Sequence, residues 1–553
     1  MPSASVPPPV DALPRERQLD PDAWLSVTAW TIVVWSCTQV LLFSHGRDQA
    51  IYATVADALL GGSMPYQDAW DFKPPGIYLV YALAQAVFGK TMLAPRLLEV
   101  AGLLGMVFGM RRLAHTFFGA RRVGLVGGAL AAFIHAQFDF WHTGQPETFG
   151  GFLTIAALVL TSEDLGRRRR VFGHAAVGVL FGLAFLLKPP LAGGALVAAM
   201  YLARGEYDRT GKALAAAGPV GVIALGSVLP IALCAGWFAL RGAWPALHWT
   251  FFEFTPGYTK LSWTHGSAGQ MFYYGLEEAF FRFSALAAFG VIAAAVMRPI
   301  HGREREGIFL LLGVISIQVA GIAMQGKFFQ YHYGATVPLV AFFGGLGLYK
   351  LYRRCVTGGS GALLAFAAFV VVGATMRTAV RDLGSVWERA LHRTSFLLRT
   401  SPLKTRELLD KKLYRVADYD LDANRRVAME LRQRTAPGEA VFVWGFEPGI
   451  YWLAERRVPT RFIYNVPQRA RWGRDATRHE LLSALERDPP RVIVVQHGDR
   501  FWWVTGDDYD SAEALRAFAE LDAMLRDHYS LATTVSDFDV YERKADMERA
   551  RAP

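Results

Sequence analysis

The sequence predicts a polytopic α-helical membrane protein of about 11 crossings (range 10–13), with an outer juxtamembrane helical loop and a C-terminal soluble α/β domain. Three observations carry that prediction. The 553 residues are 52% hydrophobic and 13% aromatic but only 19% charged, with a mean hydropathy of +0.22, whereas a soluble chain carries about a quarter charged residues. Apolar runs of spanning length recur from Trp24 to Met376 and then stop. Arginine gathers in short blocks between the runs, as the positive-inside rule requires of cytoplasmic loops.

Residues 1–23 form a cytoplasmic N-terminal tail. The first run, Trp24 to Phe43, is too long for a signal-peptide core and has no small-residue cleavage site before Ser44, which predicts a retained helix. Further spans fall at about 95–110, 123–138, 148–161, 172–187, 190–203, 214–240, 281–297, 308–324, 335–351 and 361–376. Arg111-Arg112 with Arg121-Arg122, Arg167 to Arg170, Arg204, Arg209 and Lys212, Arg298, Arg303 and Arg305, and Arg353-Arg354 then share one side, the cytoplasm. The expected location is the plasma (inner) membrane, multi-pass, with the N-terminus cytoplasmic. The opposite side receives residues 44–94, Gln145-Pro146-Glu147, Lys188-Pro189-Pro190, the loop 241–280 and Lys327 to Tyr333. Ile77 to Phe88 would invert every later loop if it crossed. Started by Pro74-Pro75 and ended at Gly89, it predicts a helix lying along the outer interface. The transmembrane domain is thus 24–376 and the extracytoplasmic α/β domain 377–553, where 421–436 suits a helix. Val441 to Trp444, Arg461 to Tyr464, Arg491 to Gln496 and Phe538 to Glu542 suit strands.

Several functional classes drop out. A net charge of +10 raises nucleic acid as a partner, but the arginines form topological blocks rather than one patch, so no nucleic acid is expected. Cys37, Cys234 and Cys355 are dispersed and supply neither a disulfide framework nor a zinc motif. The cytoplasmic loops, about a dozen residues or fewer, cannot fold a nucleotide-binding domain of about 100 residues. No Walker motif or strand-plus-GxGxxG unit is present. An enzyme built this way draws its substrates from the outer side, where nucleotide-activated donors are scarce. Its activated group therefore arrives attached to a lipid.

Ionisable residues gather on that side, where solubility does not need them. Asp48, about five residues past the first span, suits a general base for an acceptor hydroxyl, with Arg47 holding it ionised; a helix cap or hydrated loop carboxylate is the plainer alternative. Lys73, in Phe-Lys-Pro-Pro-Gly, suits a ligand for a lipid phosphate, or a lysine snorkelling to headgroups. Asp68 and Asp71 suit solvated loop carboxylates or, less readily, metal or sugar ligands. Glu147 is either a second carboxylate of the same site or an acidic residue in a helix's first turn. Lys327, His332 and Tyr333 suit phosphate or sugar contacts, or an interfacial aromatic belt. Trp244, His248, Trp249, Glu253, Tyr258, Trp263 and His265 make 241–280 a possible sugar-lining lid or an interfacial loop. Glu447 and Arg461 suit packing ahead of substrate contact.

The ordered set of Asp48, Lys73-Pro74-Pro75-Gly76, Pro146-Glu147 and His332-Tyr333 resembles the GT-C superfamily of membrane glycosyltransferases, in particular bacterial protein O-mannosyltransferase-like and aminoarabinose transferase-like members. The resemblance covers roughly residues 24–376, and Phe442 to Tyr451 with Thr460-Arg461-Phe462 extends it. It implies Asp48 as catalytic aspartate and Lys73 as a contact for the carrier-lipid phosphate. The reaction implied is inverting transfer of a sugar from polyprenyl phosphate to a glycan, lipid or protein acceptor, among membrane lipids. This chain has Arg47-Asp48-Gln49 where relatives carry Asp-Glu, and no arginine three residues on. Some relatives use a divalent metal, but no metal-binding cluster is evident and no cofactor is assigned. A transporter or flippase for a lipid-linked glycan is the alternative, against which stand the outer position of the carboxylates and the absence of a repeat. A ligase acting on polyprenyl diphosphate or a partner-binding scaffold complete the possibilities.

Overall fold

The computed structural model describes residues 21–163, 167–263, 267–277, 285–359, 361–362, 386–416 and 419–544. Its bundle comprises long helices at Pro21–Leu41, Ala94–Phe118, Arg121–Gln137, Pro146–Ser162, Arg167–Leu187, Gly194–Thr210, Ala213–Leu240, Ala285–Val296, Glu304–Gln325 and Thr336–Thr357. The expected span at 361–376 lies outside the described residues but for its first two. Among the described residues, Asp22–Leu41, Arg170–Leu187, Ala213–Leu240 and Glu304–Gln325 are long and apolar enough to cross a membrane. Ala213–Leu240 leaves Leu214, Leu225, Leu233 and Leu240 exposed, the signature of a helix whose solvent is lipid. The chain is a multi-pass membrane protein. Small residues let helices touch: a Cβ on Gly347 would strike the Gly290 carbonyl, and one on Gly226 would strike that of Ala175.

Several elements differ from the sequence reading. Ala94–Phe118 runs about two turns past the expected end, so Arg111 and Arg112 sit within the helix. Residues 44–75 are not all loop: Arg47–Leu60 is a helix, buried along Gln49 to Ala56. The interval 241–280 is largely helical, with Trp244–His248, a π-helical turn Trp249–Phe254, Thr255–Ser262 and Ala268–Glu277. Its Trp249 and Phe254 close around the buried Trp70, with ring centroids 5.9 and 4.8 Å away. His265 lies outside the described residues.

Gly76–Phe88 forms as expected, ended by Gly89 at φ +81. Its buried side carries Ile77, Tyr78, Tyr81 and Gln85, while Leu79, Leu83 and Val87 stand exposed. A helix apolar on both sides suits protein beneath and lipid above.

The C-terminal part carries a four-stranded sheet: β1 (Val441–Trp444), β2 (Val492–Gln496), β3 (Tyr529–Val535) and β4 (Phe538–Arg543). The order is β1-β2-β4-β3, with β1 parallel to β2 and the remaining pairs antiparallel. Leu421–Arg434 is helical as expected. Arg461 to Tyr464 does not join the sheet. Its Arg461 carbonyl instead accepts from the Trp70 amide at 2.7 Å, and a single bridge pairs Phe462 with Trp70. The reason is a shared core: Ile51, Tyr52, Trp70 and Tyr78 belong to the same apolar cluster as Val441, Trp444, Ile493 and Phe538. The sheet is therefore seated on one end of the bundle, called here the loop end. The other, the arginine end, carries Arg112, Arg122, Arg303 and Arg353.

Candidate active site

The site is built from the bundle's loop end upward. Ser44 and Gly46 turn the chain out of the first helix, and Gly46 caps Arg47–Leu60, whose first turn holds Asp48. A carboxylate there is favoured by the helix dipole. Asp48 is half-buried, and Gln145 Nε2 donates to its Oδ2 at 3.1 Å. The adjacent Arg47 points elsewhere. It is buried against Glu447, with Nε and Nη2 donating to Oε1 at 2.9 and 2.7 Å, and Asn424 completes that carboxylate. Its guanidinium lies 4.6 Å from the Phe501 ring centroid. Arg47 thus pins the C-terminal domain onto the helix that bears Asp48.

Lys73 is aimed by its backbone. The Tyr66 hydroxyl donates to its carbonyl at 2.7 Å, and the Tyr78 hydroxyl oxygen lies 3.0 Å from it. The following Pro-Pro-Gly packs on the end of Arg167–Leu187 so closely that a Cβ on Gly76 would stand 2.6 Å from the Leu186 carbonyl. The ammonium lies 4.9 Å from the Tyr331 ring centroid and 3.5 Å from its hydroxyl. Burial pushes the Lys73 pKa down, but the charges of Asp48 and Glu147, then Tyr258 and Asp71, outweigh it and hold Lys73 above the ordinary lysine value. Those carboxylates and this lysine therefore share one electrostatic site.

Around them stand the remaining candidates. Glu147, in the first turn of Pro146–Ser162, is buried and accepts from Lys188 Nζ; burial lowers Lys188 to about 8, opposed by Glu147. Asp71 is buried, which corrects the expectation of a solvated carboxylate: Tyr464 and Tyr78 donate to it at 2.6 and 2.8 Å. Burial raises its pKa against those hydrogen bonds and Lys73. Asp68 is exposed and caps the Met64 amide. Lys327 lies over the Tyr258 ring and donates to the Trp503 carbonyl at 3.1 Å. His332 and Tyr333 are turned inward. His332 Nδ1 is 2.8 Å from the Lys327 carbonyl oxygen, and burial with the Lys188 and Lys73 charges keeps that imidazole neutral. Tyr333 lies in the bundle core. Gln330–Tyr333 is a 3₁₀ turn. Three residues per turn aim consecutive side chains apart, so it is Tyr331 that meets Lys73. Arg461 pairs with Glu480 at the seam.

Tyr331, Gln145 and Lys188 enter the sequence reading only as members of turns, and Tyr52 not at all. A more visible signal was the buried set Arg96, Glu99 and His135, because ionisable residues inside apolar runs are costly. Glu99 accepts from Arg96 at 2.7 Å, stands 2.8 Å from His135 Nε2, and accepts the Gly144 amide at 2.7 Å. It fixes the turn that carries Gln145.

Among the described residues no group of three or more His, Cys, Asp and Glu is placed to hold a metal ion. The carboxylates that gather are already met by Lys188, Gln145 and tyrosine hydroxyls, a donor set that does not fit a divalent cation.

This architecture, a helical membrane bundle capped by a small sheet domain, is the fold of GT-C membrane glycosyltransferases, as the sequence resemblance implied. It superposes on the structure of ArnT from Cupriavidus metallidurans in the apo state with a TM-score of 0.60 and 14% identity, covering 95% of this chain and 98% of that one. Against the same protein bound to undecaprenyl phosphate the TM-score is 0.56 and the identity 13%, with the same coverage. Residues 72–233 match the family model of dolichyl-phosphate-mannose-protein mannosyltransferase. The undecaprenyl phosphate-alpha-4-amino-4-deoxy-L-arabinose arabinosyl transferase of Pseudomonas aeruginosa is 26% identical over 338 residues, 59% of this chain and 59% of that protein. The chain thus spans less than two-thirds of the length of such relatives.

Proposed function

We propose that the protein is an inverting glycosyltransferase that moves a sugar from a polyprenyl-phosphate donor to a glycan, lipid or protein acceptor on the outer side of the plasma membrane. The observation that carries this is a half-buried carboxylate, Asp48, held by Gln145, and a cation, Lys73, held against Tyr331, on the same end of a membrane bundle. Asp48 accepts the proton of the acceptor hydroxyl as its oxygen bonds to the anomeric carbon. The bond from that carbon to the phosphate oxygen breaks in the same displacement, which inverts the centre. Lys73 and the Tyr331 hydroxyl then stabilise the charge on the departing phosphate, so no general acid is needed. Glu147 and Lys188 form a buried ion pair beside them, and Lys327 lies over the Tyr258 ring. Arg47, His332 and Tyr333, committed to packing, support these groups from behind.

The topology belongs to the same reading: about eleven crossings, N-terminus cytoplasmic, a transmembrane domain over 24–376 and an extracytoplasmic domain over 377–553. The similarity to a protein solved with undecaprenyl phosphate supports a polyprenyl donor. The decisive experiment reconstitutes the purified protein in nanodiscs with polyprenyl-phosphate-linked sugars and acceptor lipids and follows release of free polyprenyl phosphate. Sugar transfer is expected with one donor, and Asp48→Asn is expected to lower its rate by about 10²–10⁴-fold without changing the unfolding temperature. Transfer by Asp48→Asn at the unmodified rate rejects the base.

A further inference from the structure

We infer that Gln145 is a positioning residue that aims Asp48 at the acceptor, and that Tyr52 sets its amide. The inference rests on Asp48 as the base. Gln145 and Tyr52 are both fully buried, and the Tyr52 ring packs in the apolar cluster shared with the sheet. The Tyr52 hydroxyl donates to Gln145 Oε1 at 2.7 Å. The Asp48 carboxylate and the Trp141 carbonyl can only accept, which turns the nitrogen toward them, and the Tyr52 hydroxyl holds the oxygen end in place. With Oε1 taken, Nε2 is turned to Asp48 Oδ2 at 3.1 Å, and its second hydrogen faces the Trp141 carbonyl at 3.4 Å. Rotating the amide by half a turn would set its oxygen against the Asp48 carboxylate and the Trp141 carbonyl, neither of which can donate.

The backbone on either side is equally fixed. The Gly144 amide donates to the buried Glu99, and Tyr81 donates to the Gly144 carbonyl at 3.0 Å. Gln49, next to Asp48, donates to the Thr143 carbonyl. The helix bearing Asp48 and the turn bearing Gln145 are thereby locked at two points.

Two consequences follow for the chemistry. Among the described residues no other side chain donates to Asp48, so one oxygen is anchored and the other is left for a proton. A neutral amide orients the carboxylate without adding the full charge that an arginine or lysine would bring. Misalignment of a general base by even a small rotation slows proton transfer while leaving substrate binding intact.

Kinetics of the reconstituted protein test this. Gln145→Leu is expected to lower kcat by roughly ten- to a hundredfold, the value of one hydrogen bond to a charged group, with the donor KM unchanged within about twofold. Tyr52→Phe, which removes one oxygen, is expected to lower kcat by about two- to tenfold. The double variant is expected to be no slower than Gln145→Leu alone, because Tyr52 acts through the amide. Should Gln145→Leu not be recovered from membranes, Tyr52→Phe carries the test by its kcat and KM. A kcat unchanged in either variant, a loss expressed in KM, or effects that multiply in the double variant would each overturn the assignment. An inactive Asp48→Asn beside a fully active Gln145→Leu sinks the positioning role alone; an active Asp48→Asn sinks the base itself.

Discussion

The two ends of the bundle spend their charges differently. At the arginine end Arg112, Arg122, Arg303 and Arg353 each have a carboxylate to themselves or share one, while Arg111 lies over the Trp30 and Phe108 rings. Arg112 grips Glu163 through two hydrogen bonds of 2.6 and 2.8 Å, Arg122 and Arg353 converge on Asp22, and buried Lys350 meets Glu304. At the loop end, no carboxylate stands within ion-pair distance of Lys73 among the described residues, and Asp48 is met only by a neutral amide. The paired charges of the arginine end are neutralised locally. Charges held in common by a site, without a dedicated partner, remain available to a substrate. The difference separates function from architecture in a chain where both ends are rich in ionisable groups.

The largest effect should come from breaking the buried pair of the arginine end. Glu304 and Lys350 are almost fully buried, and Glu304 Oε2 also accepts the Ile300 amide at 2.7 Å. Lys350→Met leaves an unpaired buried carboxylate and is expected to cost about 3–5 kcal/mol of stability. Adding Glu304→Gln should recover much of that loss. Unfolding temperature in detergent measures both, while kcat of the surviving folded protein should not move. A catalytic defect in the stable double variant would show that the two ends are not separable.

Much of this organisation is legible in the sequence, for a physical reason. Lipid imposes long apolar runs and basic punctuation, and the helix Leu421–Arg434 and strands Val441–Trp444, Val492–Gln496 and Phe538–Arg543 follow from ordinary periodicity. The helix Arg47–Leu60 escapes because it is buried on nearly every side, so polar and apolar residues do not segregate into faces. Arg461 to Tyr464 has strand composition, but its hydrogen bonding is spent on Trp70, almost 400 positions earlier. In the site, Asp48 and Lys73 stand out as charges beside the membrane. Gln145 and Tyr331 do not, since their roles exist only through partners 97 and 258 positions away. Local pattern finds the charged groups, and tertiary contact decides which neutral ones serve them.

A smaller effect sharpens the loop end. Burial and the nearby Lys73 charge bring Lys327 down to about 6, so at pH 7 most of it is neutral in the free protein. An anionic phosphate beside Lys73 and Tyr331 favours its protonated form, and donor binding then takes up a proton. Affinity for polyprenyl phosphate is therefore expected to strengthen as pH falls from 8 toward 6, by at most about tenfold per unit. Lys327→Met should flatten that slope. Titrating binding of polyprenyl phosphate in nanodiscs at several pH values measures it, and a slope of the opposite sign, or one that survives in Lys327→Met, rejects Lys327 as a phosphate neighbour.

The smallest effect belongs to the exposed pair Arg112 and Glu163, which has the best geometry of any surface pair at the arginine end. Arg112 is 49% exposed, so water and salt screen it, and the bond must also hold two long side chains still. Arg112→Ala is expected to change stability by no more than about 1 kcal/mol and transfer kinetics not at all. The informative measurement is orientation. If the arginine blocks serve topology, removing Arg112 together with Arg111, Arg121 and Arg122 should increase the fraction of molecules whose residue 168, changed to cysteine, is labelled from outside. A charge-stripped chain that keeps residue 168 shielded would place the topological determinant elsewhere, and the contrast between the two ends would then rest on packing alone.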